Sequence, residues 1–277
     1  MGLRIATNIA SQSVQKNLKD VSNAGNSELE KLSSGKRITK AADDAAGLAI
    51  STNLEAQTKG LRQATRNAND GISLVQTAEG GLAETSNILV RLRELTIQAA
   101  SDTVGDAERG FLNKEYQQLS TEVDRISEST TFNGSQLLNG KGKGSMDFQV
   151  GAFAGEQNKI TFDSGETDAS ASSIGIGGSG IASKDDALTA ISNVDTAIEK
   201  VSGQRANLGS IQSRLTSTVK NLETQTINQD SARSVIQDVD VAESSAALAS
   251  NNVVKNAAVS TLAQANAIPN SALRLIS

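Results

Sequence analysis

Apolar residues recur at every seventh position over two long stretches of the chain. Leu54, Leu61, Ala68, Val75, Leu82 and Leu89 form one ladder, and Ala187, Val194, Val201, Leu208, Leu215 and Leu222 form the other. Heptad spacing keeps one face of an α-helix apolar turn after turn, so that two such helices share a seam. The first ladder predicts a helix from about Ala45 to Ala100, roughly 80 Å long at 1.5 Å per residue, which exceeds the width of an ordinary domain. The pattern predicts a mainly α fold: a long antiparallel helical coiled-coil rod.

Shorter patterns fill in the rest. Val14, Leu18, Val21, Leu29 and Leu32 predict a helix with a narrow apolar stripe from about Ile5 to Leu32, stopping at Ser33-Ser34-Gly35. Asp43 and Asp44 are placed to cap the long helix that follows. Leu112, Tyr116, Leu119, Val123 and Ile126 predict a helix folding back on it. Asn133-Gly134 and Asn139-Gly140 then mark turns, and the alternation of Met146, Phe148 and Val150 with Ile160 and Phe162 predicts a small β-hairpin between about Ser145 and Asp163. Residues 164–183, rich in Gly, Ser and Ala, read as an exposed loop, and Ser183-Lys184-Asp185-Asp186 reads as a capping box opening the second ladder. The last segment, from about Ser234, is helical in pattern but thin in bulk, with Pro269 expected to end it.

Composition narrows the chemistry. Aromatic residues make up 2% of the chain and there is no Trp, so Ala, Leu, Val and Ile must supply the burial, spread along a seam. The chain has no Cys and no His, which removes thiol and imidazole catalysis, disulfides and the usual zinc ligands. No catalytic constellation, cofactor site or metal site is expected. Gly175-Ile176-Gly177-Gly178-Ser179-Gly180 matches the dinucleotide fingerprint formally, but no strand-helix-strand pattern surrounds it, and it is set aside. The net charge of −5 argues against nucleic acid as a partner. The first forty residues are locally basic, yet their polar face is mostly Asn, Ser and Gln, and no membrane binding is expected. No apolar run is long enough to span a bilayer, and Met1 to Leu18 lacks the apolar centre of a cleavable signal peptide.

Both ends therefore read as helices that bury too little alone, paired first with each other and then with neighbouring molecules. Val14, Leu18, Val21, Val253, Val254 and Leu262 are the residues expected to line that assembly seam.

Particular motifs go further. Leu32-Ser33-Ser34-Gly35-Lys36-Arg37-Ile38, followed by Asp43-Asp44-Ala45-Ala46-Gly47-Leu48-Ala49-Ile50, closely resembles the N-terminal signature of bacterial flagellins. Leu208 to Arg214, Ser231 to Ser234, Ile236 to Asp240, Leu262 to Asn266 and Pro269 resemble the family's closing motifs. The match covers about residues 1 to 140 and 184 to 277, in order and spacing.

The resemblance implies a structural, non-enzymatic subunit of a motility filament, short in the middle, with terminal helices lining a central channel. It divides the chain into an inner helical domain (1–40 and 234–277) and a rod domain made of 41–140, a hairpin and loop at 141–183, and a helix at 184–233. It also implies self-assembly, export to the bacterial flagellum, a chaperone on the C-terminal segment, and contacts with filament cap and hook-junction proteins. In a segment that animal Toll-like receptors read in this family, the matching positions are Arg91, Leu95 and Glu115; Val90 replaces a usual polar residue there. Arg91 and Glu115 equally read as making inter-helix or inter-subunit contacts. A hook-filament junction protein is the alternative within the same architecture.

Overall fold

The computed structural model describes residues 7–142 and 144–276, with side chains through residue 267. In chain order it contains α1 (Ile9–Ser34), α2 (Ala45–Ala100), α3 (Asp106–Ser129), β1 (Thr131–Phe132), β2 (Ser135–Gln136), β3 (Ser145–Gln149), β4 (Lys159–Asp163), α4 (Ala171–Ile174), α5 (Lys184–Gln237) and α6 (Val241–Ile276). The chain forms two compact units, a central one over Gln57–Ile227 and a terminal one made of Met1–Ala56 and Asn228–Ser277. The expected start of the first helix near Ile5 lies outside the described residues.

The central unit is built on the two ladders. Every ladder residue except Leu54 is buried, which is why these stretches hold together as long helices with little aromatic mass. Arg93 pairs with Asp195 at 2.6 Å, Arg205 with Glu79 at 3.4 Å and Lys184 with Asp102 at 2.7 Å, so α2 and α5 run antiparallel. A second buried row on α2, Ala64, Gly71, Ala78, Thr85, Leu92 and Ala99, has the same heptad spacing. Its small members let neighbouring segments approach closely: at Gly71, a Cβ would stand 3.1 Å from the Phe148 ring.

At the far end of α2 the chain turns back into α3. Arg109 is buried there, with Nε donating to the Ala99 carbonyl at 2.8 Å, Nη2 to the Ser101 carbonyl at 3.0 Å, and Nη1 to Asp106 at 2.9 Å. The last turn of α2 holds no basic residue, so Arg109 supplies both the missing donors and the positive charge that a helix C-terminus favours. Replacing it in Arg109→Met should cost about 2 to 3 kcal/mol, because two inward-facing carbonyls lose a charged donor. Calorimetry should show the central unit melting several degrees lower, by roughly 2–4 °C per kcal/mol for a unit of this size.

Asn133 (φ 48) and Gly134 (φ 75) both adopt left-handed backbone, which makes a tight turn of the I′ kind between β1 and β2. β3 and β4 form the expected antiparallel hairpin, with Met146 opposite Phe162 and Phe148 opposite Ile160. Phe162 is fully buried, and Asn67 of α2 donates to the Gln149 carbonyl at 3.0 Å, so the hairpin is part of the core.

Two expectations need correction. Residues 164–183 are not an exposed loop: Ala169, Ala171, Ile174, Ile176 and Ile181 are buried, and polar tethers fix the backbone between them. Asp124 accepts from the Ala171 N–H at 2.7 Å, Asn113 from the Ile181 N–H at 2.9 Å, and Tyr116 shares a 2.7 Å hydrogen bond with Ser179. Isolated isoleucines among Gly and Ser carry no periodic signal, yet each fills a gap beside α3 or α5. Gly175 (φ 90) and Gly178 (φ 75) serve these turns, which accounts for the formal dinucleotide match. Nor does Pro269 end α6, which stays helical to Ile276. Proline removes one backbone hydrogen bond, but nearby Ala267, Ala272 and Leu273 are strong helix formers that continue the helix beyond it.

Candidate functional site

The terminal unit is organised around a backbone clamp. Gly35 (φ 69) ends α1 in left-handed conformation, and the next residues run antiparallel to the break between α5 and α6. The Val239 N–H donates to the Gly35 carbonyl at 3.1 Å, the Arg37 N–H to the Gln237 carbonyl at 2.7 Å, and Arg37 Nη2 to the Ile236 carbonyl at 2.7 Å. The N- and C-terminal signature motifs thus meet as a two-residue bridge. Asp240 then caps α6, accepting from the Ala242 and Glu243 N–H groups at 2.8 and 3.2 Å.

On the other side of the clamp, Asp44 caps α2 by accepting from the Gly47 N–H at 2.9 Å. Asp43 instead closes a tight turn, accepting from the N–H groups of Lys40 and Thr39 and from the Thr39 hydroxyl. Those three donors hold its carboxyl below the ordinary 3.8. This contribution to the turn is therefore complete above the ordinary value and fades as the pH falls through the lowered one.

From the clamp, α1 and α6 run antiparallel. Asn8 Nδ2 donates to the Ala265 carbonyl and Ser11 Oγ to Asn266 Oδ1, both at 2.8 Å, while Gly25 lies beside Asn251. This register sets Val21 near Val254, and Val14 near Leu262. Val14, Leu18, Val21 and Leu262 are half-buried in this pairing. Val253 and Val254 are not covered: they remain 68% and 46% exposed. Ile9, Leu29, Val235, Val241 and Val259 are exposed in the same unit. These exposed apolar side chains are spread round α1, α6 and the end of α5 rather than gathered on one face.

The three positions proposed for receptor recognition separate. Arg91 reaches Glu115 with Nε at 3.1 Å and Nη2 at 2.9 Å, and Glu94 with Nη1 at 2.8 Å, all on the solvent side of α2 and α3. The hydrogen bonds to Glu94 and Glu115 raise the guanidinium pKa further. Leu95, in contrast, is 0% exposed and belongs to the core. It has no surface to offer a partner of the folded subunit, and it is withdrawn from that set.

This architecture coincides with known sequence families. Residues 5–143 match the family model described as the bacterial flagellin N-terminal helical region, and residues 191–276 match that of the bacterial flagellin C-terminal helical region. The chain belongs to the bacterial flagellins. It is 41% identical over 269 residues to a flagellin of Halalkalibacterium halodurans, covering 97% of this chain and 98% of that one. It is 39% identical over 286 residues to the flagellar filament core protein flaB2 of Brachyspira hyodysenteriae, covering 98% and 99%. Among solved structures, the crystal structure of Bacillus cereus flagellin is similar at a TM-score of 0.51 and 32% identity, over 61% of this chain and 94% of that chain. These relatives do not favour the hook-filament junction alternative.

Within this flagellin, sequence reasoning picked out the motifs that hold Ile38 and Gly47 but not their role in fixing the joint. Ile38 is buried at the clamp, and at Gly47 a Cβ would run into the capping Asp44 carboxylate and stand 2.8 Å from Ile38 Cδ1, so this helical glycine keeps space for both. A glycine three residues inside a capped helix is the one local sign of such a close approach. Among the described residues, no group of three His, Cys, Asp or Glu side chains could hold a metal ion, and no helix is long and apolar enough to cross a membrane.

Proposed function

We propose that this flagellin polymerises through its terminal helices, and that α1 and α6 reach full order only when neighbouring subunits cover them. The carrying observation is the number of large apolar side chains left exposed on the terminal unit, Val253 and Val254 among them. A helix pair this thin barely offsets the entropy of its own ordering. Cover from neighbours supplies the remaining burial, so folding of the ends and growth of the filament become one step. Val14, Leu18, Val21 and Leu262 stabilise the pair, while Val253 and Val254 present it to the next subunit.

Further parts of this reading come from the family. The chain is exported to the cell exterior through the flagellar channel. A chaperone shields the C-terminal segment beforehand, and cap and hook-junction proteins meet the polymer at its two ends. An animal Toll-like receptor reading the α2–α3 surface would engage Arg91 and Glu115 by breaking or sharing their ion pair.

The test uses purified protein under mildly salting-out conditions with sheared filament seeds, imaged by electron microscopy. Long tubular filaments are expected from the intact chain, and none from a chain lacking residues 241–277 whose central unit still melts normally. Equal growth from both would overturn the assignment to the termini.

A further inference from the structure

We propose that Asn133 is a self-modification site, whose side-chain amide is lost by attack of the Gly134 backbone nitrogen, and that the fold selects this pair over the second Asn-Gly pair, Asn139-Gly140. The proposal does not depend on the filament reading.

The reaction needs only the two residues and water. The Gly134 nitrogen gives up its proton to solvent and attacks Asn133 Cγ. A C–N bond forms, closing a cyclic succinimide, and the side-chain nitrogen leaves as ammonia. Water then opens the ring at either of its carbonyls. One opening leaves an aspartate and the other an isoaspartate, whose backbone is longer by a methylene. The net change is amide plus water to carboxylate plus ammonium, with no oxidant or reductant. Glycine obstructs the attack least, because it has no side chain.

Asn133 and Gly134 are both exposed. Among the described residues, the Asn133 carboxamide has no hydrogen-bond partner. A Cβ at Gly134 would meet nothing within 4 Å, so the space where the ring forms is clear. Ring closure requires the Asn133-Gly134 peptide to rotate out of its left-handed turn (φ 48 and 75), and that opening costs little. β1 and β2 pair only through Thr131 with Gln136 and Phe132 with Ser135, and so short a ribbon is marginally stable. At its base the Leu137 N–H donates to the Thr130 carbonyl at 3.1 Å and Leu137 is fully buried, so the turn opens without disturbing the core.

Asn139 is the opposite case. It is 9% exposed, and both ends of its carboxamide are pinned: Nδ2 donates to Gln136 Oε1 at 2.5 Å, and Oδ1 accepts from the Lys141 N–H at 3.0 Å. The Asp168 carboxylate lies against Gly140, where a Cβ would stand 2.8 Å from Oδ2. A negative charge there opposes loss of the proton from the Gly140 nitrogen. Reaction at Asn139 must first break two hydrogen bonds at a nearly buried site.

The two products at position 133 differ in consequence. Aspartate followed by glycine suits the same I′ turn and adds a negative charge. Isoaspartate lengthens the turn, so Phe132 no longer sits opposite Ser135. The charge of the subunit and the state of this turn therefore record the time since its synthesis.

The test incubates the full chain in warm, mildly alkaline buffer and follows its proteolytic peptides by chromatography and mass spectrometry. In the folded protein, aspartate and isoaspartate should accumulate at position 133 about tenfold or more faster than at position 139. In urea the two positions should react at similar rates. Isoelectric focusing should show an acidic form growing with time, and Asn133→Gly, which keeps a left-handed turn, should remove most of it. Equal rates at the two positions of the folded protein, faster reaction at 139, or no conversion at 133 overturns the proposal. An acidic form that grows undiminished in a folded Asn133→Gly does the same. If that variant does not fold, the site-resolved rates of the unmodified chain decide.

Discussion

Val254→Asp is expected to abolish filament growth while leaving the central unit as stable as before. Val254 is half-exposed in the single chain and lies on α6 opposite Val21, so a carboxylate there stays hydrated and disturbs the α1–α6 pair little. On the proposed mode of assembly the same position becomes covered. Burying an unpaired carboxylate costs about 3 kcal/mol or more, and the cost recurs at every subunit added. That corresponds to a rise of more than about a hundredfold in the concentration needed for growth. Seeded elongation followed by light scattering reads the loss, and thermal unfolding of the monomer checks that the substitution acts only on assembly. Val254→Leu should grow, since it keeps an apolar group at the contact. Filaments of normal length from Val254→Asp would move the interface elsewhere on the terminal unit.

The second large effect lies in the core. Phe162→Ala should destabilise the central unit by about 3 to 5 kcal/mol, the range for removing a buried Phe ring from a close-packed site. Phe162 is fully buried on β4, where it pairs across the hairpin with Met146. The lost ring leaves a void that the hairpin cannot collapse into, because Asn67 and the Phe148–Gly71 contact hold it on α2. Calorimetry should show a fall of about 10 °C in the melting of the central unit. Phe162→Leu should recover most of the loss. An unchanged melting temperature in Phe162→Ala would mean that the hairpin stands apart from the core.

Several features of the molecule were legible along the chain because they depend on residues that are neighbours in sequence. The leucine and valine ladders, the stop at Gly35, the cap at Asp44 and the Ser183–Asp186 capping pair fall where periodicity and capping chemistry put them. The β3–β4 hairpin falls where alternation put it, because strand pairing by a short connection is also local. The signature motifs were legible too, although their reason was not. Gly35 and Arg37 are fixed by partners some two hundred positions away, as in the bond from Arg37 to the Ile236 carbonyl with a separation of 199. No local pattern announces that contact.

The sequence by itself determined where the long helices lie and where the seam of each ladder runs, and it marked the ends as thin in apolar bulk. Those properties follow from the spacing and size of side chains along one segment. Tertiary structure alone decided which small and isolated residues are buried. Gly71 and Ala78 look like surface residues until Phe148 and its neighbours close over that row, and Ile174, Ile176 and Ile181 look like loop residues until α3 and α5 receive them. Tertiary structure also separated Leu95, which is buried in the core, from Arg91 and Glu115, whose ion pair lies in water. The physical reason is the same in each case: burial is set by what packs against a residue, and that partner is distant in sequence.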